Sequence, residues 1–442
     1  MKKFLVLVIV LIIGFVSCGC ISSQQPIIAT NSSTNTSTTT LTTTPVVIQS
    51  NPVTASQTIS PELVSYQKGL ELYNQKKYLE AIDAFNTTIS LNKTNGEAYF
   101  ARGKAFYQIG RIKFYEFRGE EEFNQAISDF GLALNNGLNS HDSRELFTLR
   151  GYSNYWIGYI YQLKYYLTGK NSFSYFETAA TDFSRLLDNN PDDIDALIGR
   201  SIVYDIVGVG TSELKYPYDQ NKAELSGKDA QQAVELAPHN AWAHYALAIH
   251  LGDIEKLSQK EVIKQYDEAI KDDPEEAWFY LSRGFARFKI LDSDGARSDY
   301  LKAIDLQPRL ANAYHNLAQV DAQEGKAEDA LVNYQKGLEI NPNIAMWWYD
   351  FAAGQWNLMS PITISGSEEV LKSIDRAIAI DPEHPTYHYQ RWQILIYLNR
   401  IPEAKEEVRI FKHLETSDRE FGTWMEDVTA NPYYYGNYIE RH

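Results

Sequence analysis

Pro274, Pro308 and Pro342 stand 34 residues apart, and Gly69 and Gly103 repeat that interval near the start of the chain. A fixed period of this length marks a repeat architecture, in which each unit is too small to bury its own apolar face and must stack on its neighbours. Within one period Gly284 is followed by Ala296, Tyr300, Ala303 and Pro308, and the next places Ala318, Ala330, Tyr334, Gly337 and Pro342 at the same offsets. Where two antiparallel helices cross closely the residue must be small, because extra methylenes in a tight contact cost about 1–3 kcal/mol. The aromatic four residues after the second small residue lies one turn further along the same helix face, placed to fill the gap between hairpins. A proline lacks the amide proton and pushes its predecessor out of helical geometry, so Asp273-Pro274, Gln307-Pro308 and Asn341-Pro342 predict the end of the second helix of each pair.

A ten-residue step from each proline to the next small position carries the pattern outward, from Pro191 to Ser201, Pro238 to Ala248 and Pro342 to Ala352. Pro382 leads instead to Trp392, too large for a tight crossing, so the ninth hairpin reads as a capping pair. At the other end Gly69, Ala81 and Phe85 fit, with Lys93 where a proline would stand. Small, small, aromatic, small and proline recurring together resemble the tetratricopeptide repeat (TPR) family over about residues 61–415, or nine hairpins. The resemblance implies an all-α fold, an α-solenoid of stacked antiparallel helix hairpins, followed by a Tyr-rich cap or tail at 416–442. Three hairpins are enlarged between their small positions, from Gly103 to Ala126, Gly151 to Ala179 and Ser201 to Ser226. The aromatic run from Tyr159 to Tyr175 falls in the second of these, and lengthened helices packing on each other are the expected use of it.

Ahead of the repeats, Lys2 and Lys3 precede an apolar run from Phe4 to Val16, the pattern of a secretory leader over residues 1–20. The run is shorter than the roughly 20 residues a spanning helix needs. Ser17-Cys18-Gly19-Cys20 resembles the prokaryotic lipobox, which makes Cys20, or alternatively Cys18, the expected lipidation site; an uncleaved signal anchor is the other reading. Either holds the body outside the membrane, on the outer face of the cytoplasmic membrane or in the cell envelope. These are the chain's only 2 cysteines, so the body holds neither a disulfide nor a cysteine-ligated metal. Residues 21–60 are rich in Ser and Thr with no apolar periodicity, the composition of a disordered linker. Asn31 and Asn35 open glycosylation sequons inside it, which are read equally as chance matches in an undecorated linker.

Function is read from what the repeat exposes. With 41 basic against 57 acidic residues the net charge is −16, and no basic block interrupts it, so phosphate neutralisation and with it nucleic-acid binding are excluded. His384 and His388 stand four apart but Pro385 intervenes, so they read as a helix start rather than a metal pair. Asp292, Asp294 and Asp299 around Gly295 do not match a calcium loop and read as turn and cap residues. No phosphate loop or nucleophile elbow is present, so neither catalysis, a cofactor nor a metal is expected. In the TPR family the first helix of each pair lines an inner groove where partner peptides lie. The positions that the resemblance assigns to it are Tyr66, Tyr73, Phe100, Tyr107, Tyr152, Tyr155, Trp242, Tyr245, Trp278, Phe285, Tyr349, Trp356 and Tyr389. About half of these rings are expected to pack into the core. Trp242 and Trp278 are the expected anchors for a partner segment that is basic or apolar, given the acidity of the chain. The expected function is a membrane-tethered scaffold for protein–protein interaction, with an envelope, pilus or secretion assembly factor of the same fold as the alternative and an enzyme or solute-binding protein behind both.

Overall fold

A computed structural model describes residues 60–164, 172–209, 219–253, 259–358, 363–414 and 419–430. Within them the chain forms nineteen α-helices and no strand. Nine successive pairs make hairpins: α1 (Pro61–Asn74) with α2 (Tyr78–Leu91), α3 (Gly96–Phe114) with α4 (Glu120–Asn135), and α5 (Ser140–Lys164) with α6 (Ser172–Asn189). The fourth to sixth are α7 (Ile194–Val209) with α8 (Gln220–Leu236), α9 (Ala241–Asp253) with α10 (Gln259–Asp272), and α11 (Ala277–Lys289) with α12 (Ser293–Leu306). The last three are α13 (Ala311–Gln323) with α14 (Ala327–Ile340), α15 (Ala345–Leu358) with α16 (Ile364–Ile380), and α17 (Pro385–Tyr397) with α18 (Ile401–Leu414). A final helix, α19 (Arg419–Ala430), packs on α18. Each second helix packs on the first helix of the next pair, which makes the chain an α-solenoid.

Helix ends follow local chemistry. Ser60 accepts from the Leu63 amide at 3.2 Å with Pro61 at the first helical position, and Asn95 accepts from the Ala98 amide at 2.9 Å. Asp292 caps α12 through the Gly295 amide, and His384 precedes Pro385 at the start of α17, so both readings as helix starts hold. The turns inside hairpins one, six, seven and nine each place one residue at positive φ in the same repeat register, namely Lys76, Leu291, Gly325 and Asn399.

The crossing rule is visible at atomic distance. A Cβ added at Gly69 would lie 2.4 Å from the Phe85 ring, and at Gly103, Gly151 and Gly284 it would lie 2.8 Å from the rings of Phe130, Phe183 and Tyr300. The repeat aromatic therefore covers the glycine of its own hairpin. Phe183 also reaches the next one, standing 2.4 Å from a Cβ at Gly199. Beside this contact runs a pair that sequence reading missed. The residue before the small position is an arginine and the residue before the aromatic position is an acid, and they meet as Arg102–Asp129, Arg150–Asp182, Arg200–Asp229, Arg283–Asp299 and Arg391–Glu407. In the first four the acid is buried and held by two guanidinium nitrogens. In the ninth hairpin Arg391 holds Glu407 through one nitrogen and Asp375 through another.

At the ninth hairpin Trp392 is fully buried, its indole donating to Thr429 Oγ1 at 2.8 Å and its ring edge-on to Trp424 at 5.5 Å, both on α19. The oversized residue is accommodated because α19 closes the stack around it.

Two glycines of opposite standing test the crossing rule. Gly284→Ala is expected to lower stability by about 1–3 kcal/mol, since Tyr300 must move. Gly131→Ala, on α4 where nothing lies within 4 Å of an added Cβ, is expected to raise it by about 0.5–1 kcal/mol. Urea midpoints of the two variants against wild type check both signs.

Candidate protein-interaction surface

The thirteen rings assigned to the inner face divide sharply by burial. Phe100, Tyr107, Tyr152, Tyr155, Trp242, Tyr245, Trp278 and Phe285 are buried, while Tyr66, Tyr73, Tyr349, Trp356 and Tyr389 are half-buried. About half were expected to pack into the core; what the burial corrects is the choice of anchors, since Trp242 is 8% and Trp278 1% exposed. The reason is ring-on-ring packing. Phe100 lies 6.0 Å from Phe130, Tyr107 5.9 Å from Phe123, Tyr152 5.0 Å from Phe183, and Trp242 4.7 Å from Phe279. These side chains join one core that runs from Phe100 to Trp347.

Trp278 is buried by a segment from far along the chain. The end of α3 and the turn between α3 and α4 pack on hairpins six to eight, so that Phe114 lies 5.8 Å from Trp278 and Phe117 lies 5.8 Å from Trp347. Sequence reading expected enlarged hairpins packing on each other. It had no means of finding this contact, because Arg118 and Ile340 lie 222 residues apart and no periodic signal joins them.

Rings remain accessible at the two ends of the stack. At the N-terminal end Tyr66 lies 5.9 Å from Phe85 and Tyr73 lies 5.4 Å from Tyr78. At the C-terminal end Tyr349 lies 5.4 Å from Tyr387, Trp356 stands edge-on to Tyr397 at 5.7 Å, and Tyr389 lies on Trp392 at 5.7 Å. Tyr397 is itself exposed. These three half-buried rings sit on α15 and α17, the first helices of the last two hairpins.

Titratable groups inside the stack are committed to structure. His388 holds Glu407 through Nδ1 at 2.6 Å and the Pro382 carbonyl through Nε2 at 2.9 Å, while His384 stacks on Tyr387 at 3.9 Å and burial lowers its pKa to about 3. Ser226, Asp205 and His250 come together in the core, but Ser226 Oγ donates to Asp205 Oδ1 at 2.7 Å, the same oxygen that His250 Nδ1 approaches at 3.1 Å. All three are buried, so no substrate reaches that hydroxyl. Asp299 is not a turn or cap residue like Asp292 but the buried partner of Arg283. Among the described residues no group of three or more His, Cys, Asp or Glu is arranged to hold a metal, and no helix is long and apolar enough to cross a membrane. Cys18, Cys20, Asn31 and Asn35 lie outside the described residues.

Residues 69–110, from α1 into α3, match the family model described as TPR repeat. A stretch of 175 residues is 29% identical to the human protein O-mannosyl-transferase TMTC3, covering 38% of this chain and 18% of that protein. Another of 128 residues is 36% identical to small glutamine-rich tetratricopeptide repeat-containing protein 2 of Saccharomyces cerevisiae, covering 29% of this chain and 32% of that one. The chain thus spans about a fifth to a third of the length of the curated relatives it matches. Among solved structures, a tetratricopeptide repeat protein from Parabacteroides merdae aligns at 15% identity with a TM-score of 0.46, over 66% of this chain and 98% of that one. The fold is an α-solenoid of helix hairpins, with a TPR repeat matched by the family model near its start.

Glu276, at the head of α11, is 4% exposed and accepts from the Trp278 amide at 3.1 Å. Burial raises its pKa to about 8, with Arg111 opposing and Asp273 reinforcing the shift. The folded chain thus keeps a proton that the unfolded chain releases above about 4.5, so this residue's contribution to stability falls as pH rises from 4.5 through 8. Glu276→Gln keeps the accepting oxygen and removes the titration. The variant is expected to match wild type near pH 4.5 and to exceed it by about 1–3 kcal/mol at pH 8, read from urea unfolding at the two pH values.

Proposed function

We propose that this chain is a protein-interaction scaffold whose partner contacts lie at the C-terminal end of the solenoid, on the surface formed by Tyr349, Trp356 and Tyr389 with the exposed Tyr397. The observation that carries this reading is the division of the inner rings: those of hairpins two to six lie inside the core, while those of α15 and α17 keep accessible faces. Half-buried aromatic rings held by their neighbours lose little entropy on binding and supply contact area, which suits them as interface anchors. The net charge of −16 favours a partner segment that is basic or apolar. The names of two relatives, a wheat Hsp70-Hsp90 organizing protein and a small glutamine-rich TPR protein, agree with a binding rather than a catalytic role.

The tether belongs to the same proposal. The leader at residues 1–20 with Cys20 or Cys18, followed by the Ser/Thr-rich stretch to residue 60, would present the scaffold on the outer face of the cytoplasmic membrane or within the envelope.

A photo-crosslinking residue placed at Tyr397 in the full chain, in native membranes, tests the surface. Crosslinks are expected to fall on one recurring basic or apolar segment. Trp356→Ala with Tyr389→Ala is expected to cut their yield at least fivefold with helical circular dichroism unchanged, and an unchanged yield would remove this surface from consideration. For the tether, Cys18→Ser with Cys20→Ser is expected to move the protein from the membrane to the soluble fraction, read by fractionation and mass of the mature N-terminus.

A further inference from the structure

In a solenoid each hairpin ordinarily touches only its neighbours. Here one five-residue segment, Phe114-Tyr115-Glu116-Phe117-Arg118, is received by groups from three hairpins that follow it by roughly two hundred residues. The Phe117 ring is 1% exposed and stands edge-on to Trp278 at 6.4 Å and to Trp347 at 5.8 Å. Tyr115 stacks on the other side of this site against Trp278 at 6.3 Å. The backbone is read as well. The Ala311 amide donates to the Tyr115 carbonyl at 3.4 Å, and Asn341 Nδ2 donates to the Glu116 carbonyl at 2.8 Å and lies 3.5 Å from that of Phe117. At the rim Glu116 pairs with Arg309, and Arg118 donates to the Ile340 carbonyl at 2.9 Å.

An anchor ring in an aromatic slot, hydrogen bonds to successive carbonyls and charges at the edge are the components by which a surface recognises a short peptide. The turn itself is formed locally: Phe117 has φ 52°, the left-handed helix-end conformation also found at Lys76, Leu291 and Asn399, with the Phe117 amide donating to the Phe114 carbonyl at 2.7 Å and the Arg118 amide to that of Lys113 at 3.2 Å. Gly119 lets the chain turn back, since a Cβ there would lie 2.7 Å from the Gly110 carbonyl oxygen.

We propose that the inner face of hairpins six to eight is a binding site for an aromatic–acidic–aromatic–basic peptide turn, and that residues 114–118 of this chain are its resident occupant. Occupied in cis, the site closes the superhelix on itself and is denied to partners. A partner segment of the same chemistry enters only in place of the resident turn. This site is separate from the C-terminal ring surface, and neither depends on the other.

The test uses a fluorescent peptide of residues 112–120 titrated into the full chain. Wild type is expected to bind it weakly. A chain carrying Glu116→Ser, Phe117→Gly and Arg118→Ser, in which glycine keeps the left-handed position free of strain, is expected to bind it at least tenfold more tightly. Adding Asn341→Leu to that chain, or Phe117→Gly to the peptide, is expected to abolish the gain. If the triply substituted chain keeps its helical circular dichroism and binds the peptide no better than wild type, the contact is ordinary core packing and the proposal fails. Should that chain lose its helical signal, Glu116→Arg takes its place, since it alters only a rim residue. It is expected to raise peptide affinity about threefold or more at low salt, and an unchanged affinity overturns the proposal.

Discussion

A ring lying on a bare Cα is the contact from which the rest of this architecture follows. With no Cβ at Gly69, Gly103, Gly151 or Gly284, the two helices of a hairpin approach until the aromatic of the second helix touches the backbone of the first. That approach fixes the register of the pair, and the register brings the preceding residue of each helix into range. Arg102 Nε and Nη2 then reach Asp129 at 2.8 and 2.6 Å, and the same geometry recurs beside Gly151 and Gly284, while the fourth hairpin keeps it with Ser201 and Ala230 in the places of glycine and ring. Burying a carboxylate is costly unless its partner is well placed, and breaking such a pair leaves an uncompensated charge. A hairpin that slipped by one residue would strand both the ring and the acid, so packing and charge select the same register.

Stacking of such hairpins yields a one-dimensional object whose stability is a sum over neighbours. The α3–α4 turn changes that. By joining the second hairpin to the sixth, seventh and eighth it adds hydrogen bonds between residues 193 to 225 positions apart, and Phe114 and Phe117 become part of one core with Trp278 and Trp347. The lengthened α3 and α5 belong to this same closure, since Trp156 and Tyr159 of α5 pack on Phe114 at 4.6 and 5.8 Å. Closing a loop of this size costs only slowly more entropy as it lengthens, so a few buried rings suffice to hold it.

The repeat and the fold class were legible because they rest on local, periodic requirements. A small residue, a ring and a proline must each recur wherever a hairpin forms, and the sequence displays them at a constant interval. The arginine and acid of the paired ladder were equally periodic. They stand one place before Gly103 and Phe130, Gly151 and Phe183, and Gly284 and Tyr300, so attention to the residue preceding each landmark would have found them. Tertiary closure had no such signal. Nothing in Tyr115, Glu116 or Phe117 marks them as partners of Asn341 or Arg309, and so Trp278 looked from sequence like an exposed anchor when it is a wall of the slot that holds Phe117. Trp392 shows the opposite error. Judged against the plain repeat it was too large, yet α19 supplies Thr429 and Trp424 to enclose it.

What the proposed scaffold could offer to others is set by what its own closure consumes. A linear array would present a continuous inner face, and recognition would be spread along it. Here the rings of hairpins two to six pack into the core, and under the proposed function recognition by the free molecule falls to the half-buried rings of α1 at one end and of α15 and α17 at the other. The acidity of the chain acts on top of this geometry. Long-range charge steers encounter, while the rings decide what stays bound. A partner that approached by charge alone would meet acids already paired with arginine inside hairpins two, three, four, six and nine, and others paired between neighbouring hairpins. Lasting contact must come from filling an aromatic surface, the same principle by which Phe117 holds its place within the chain.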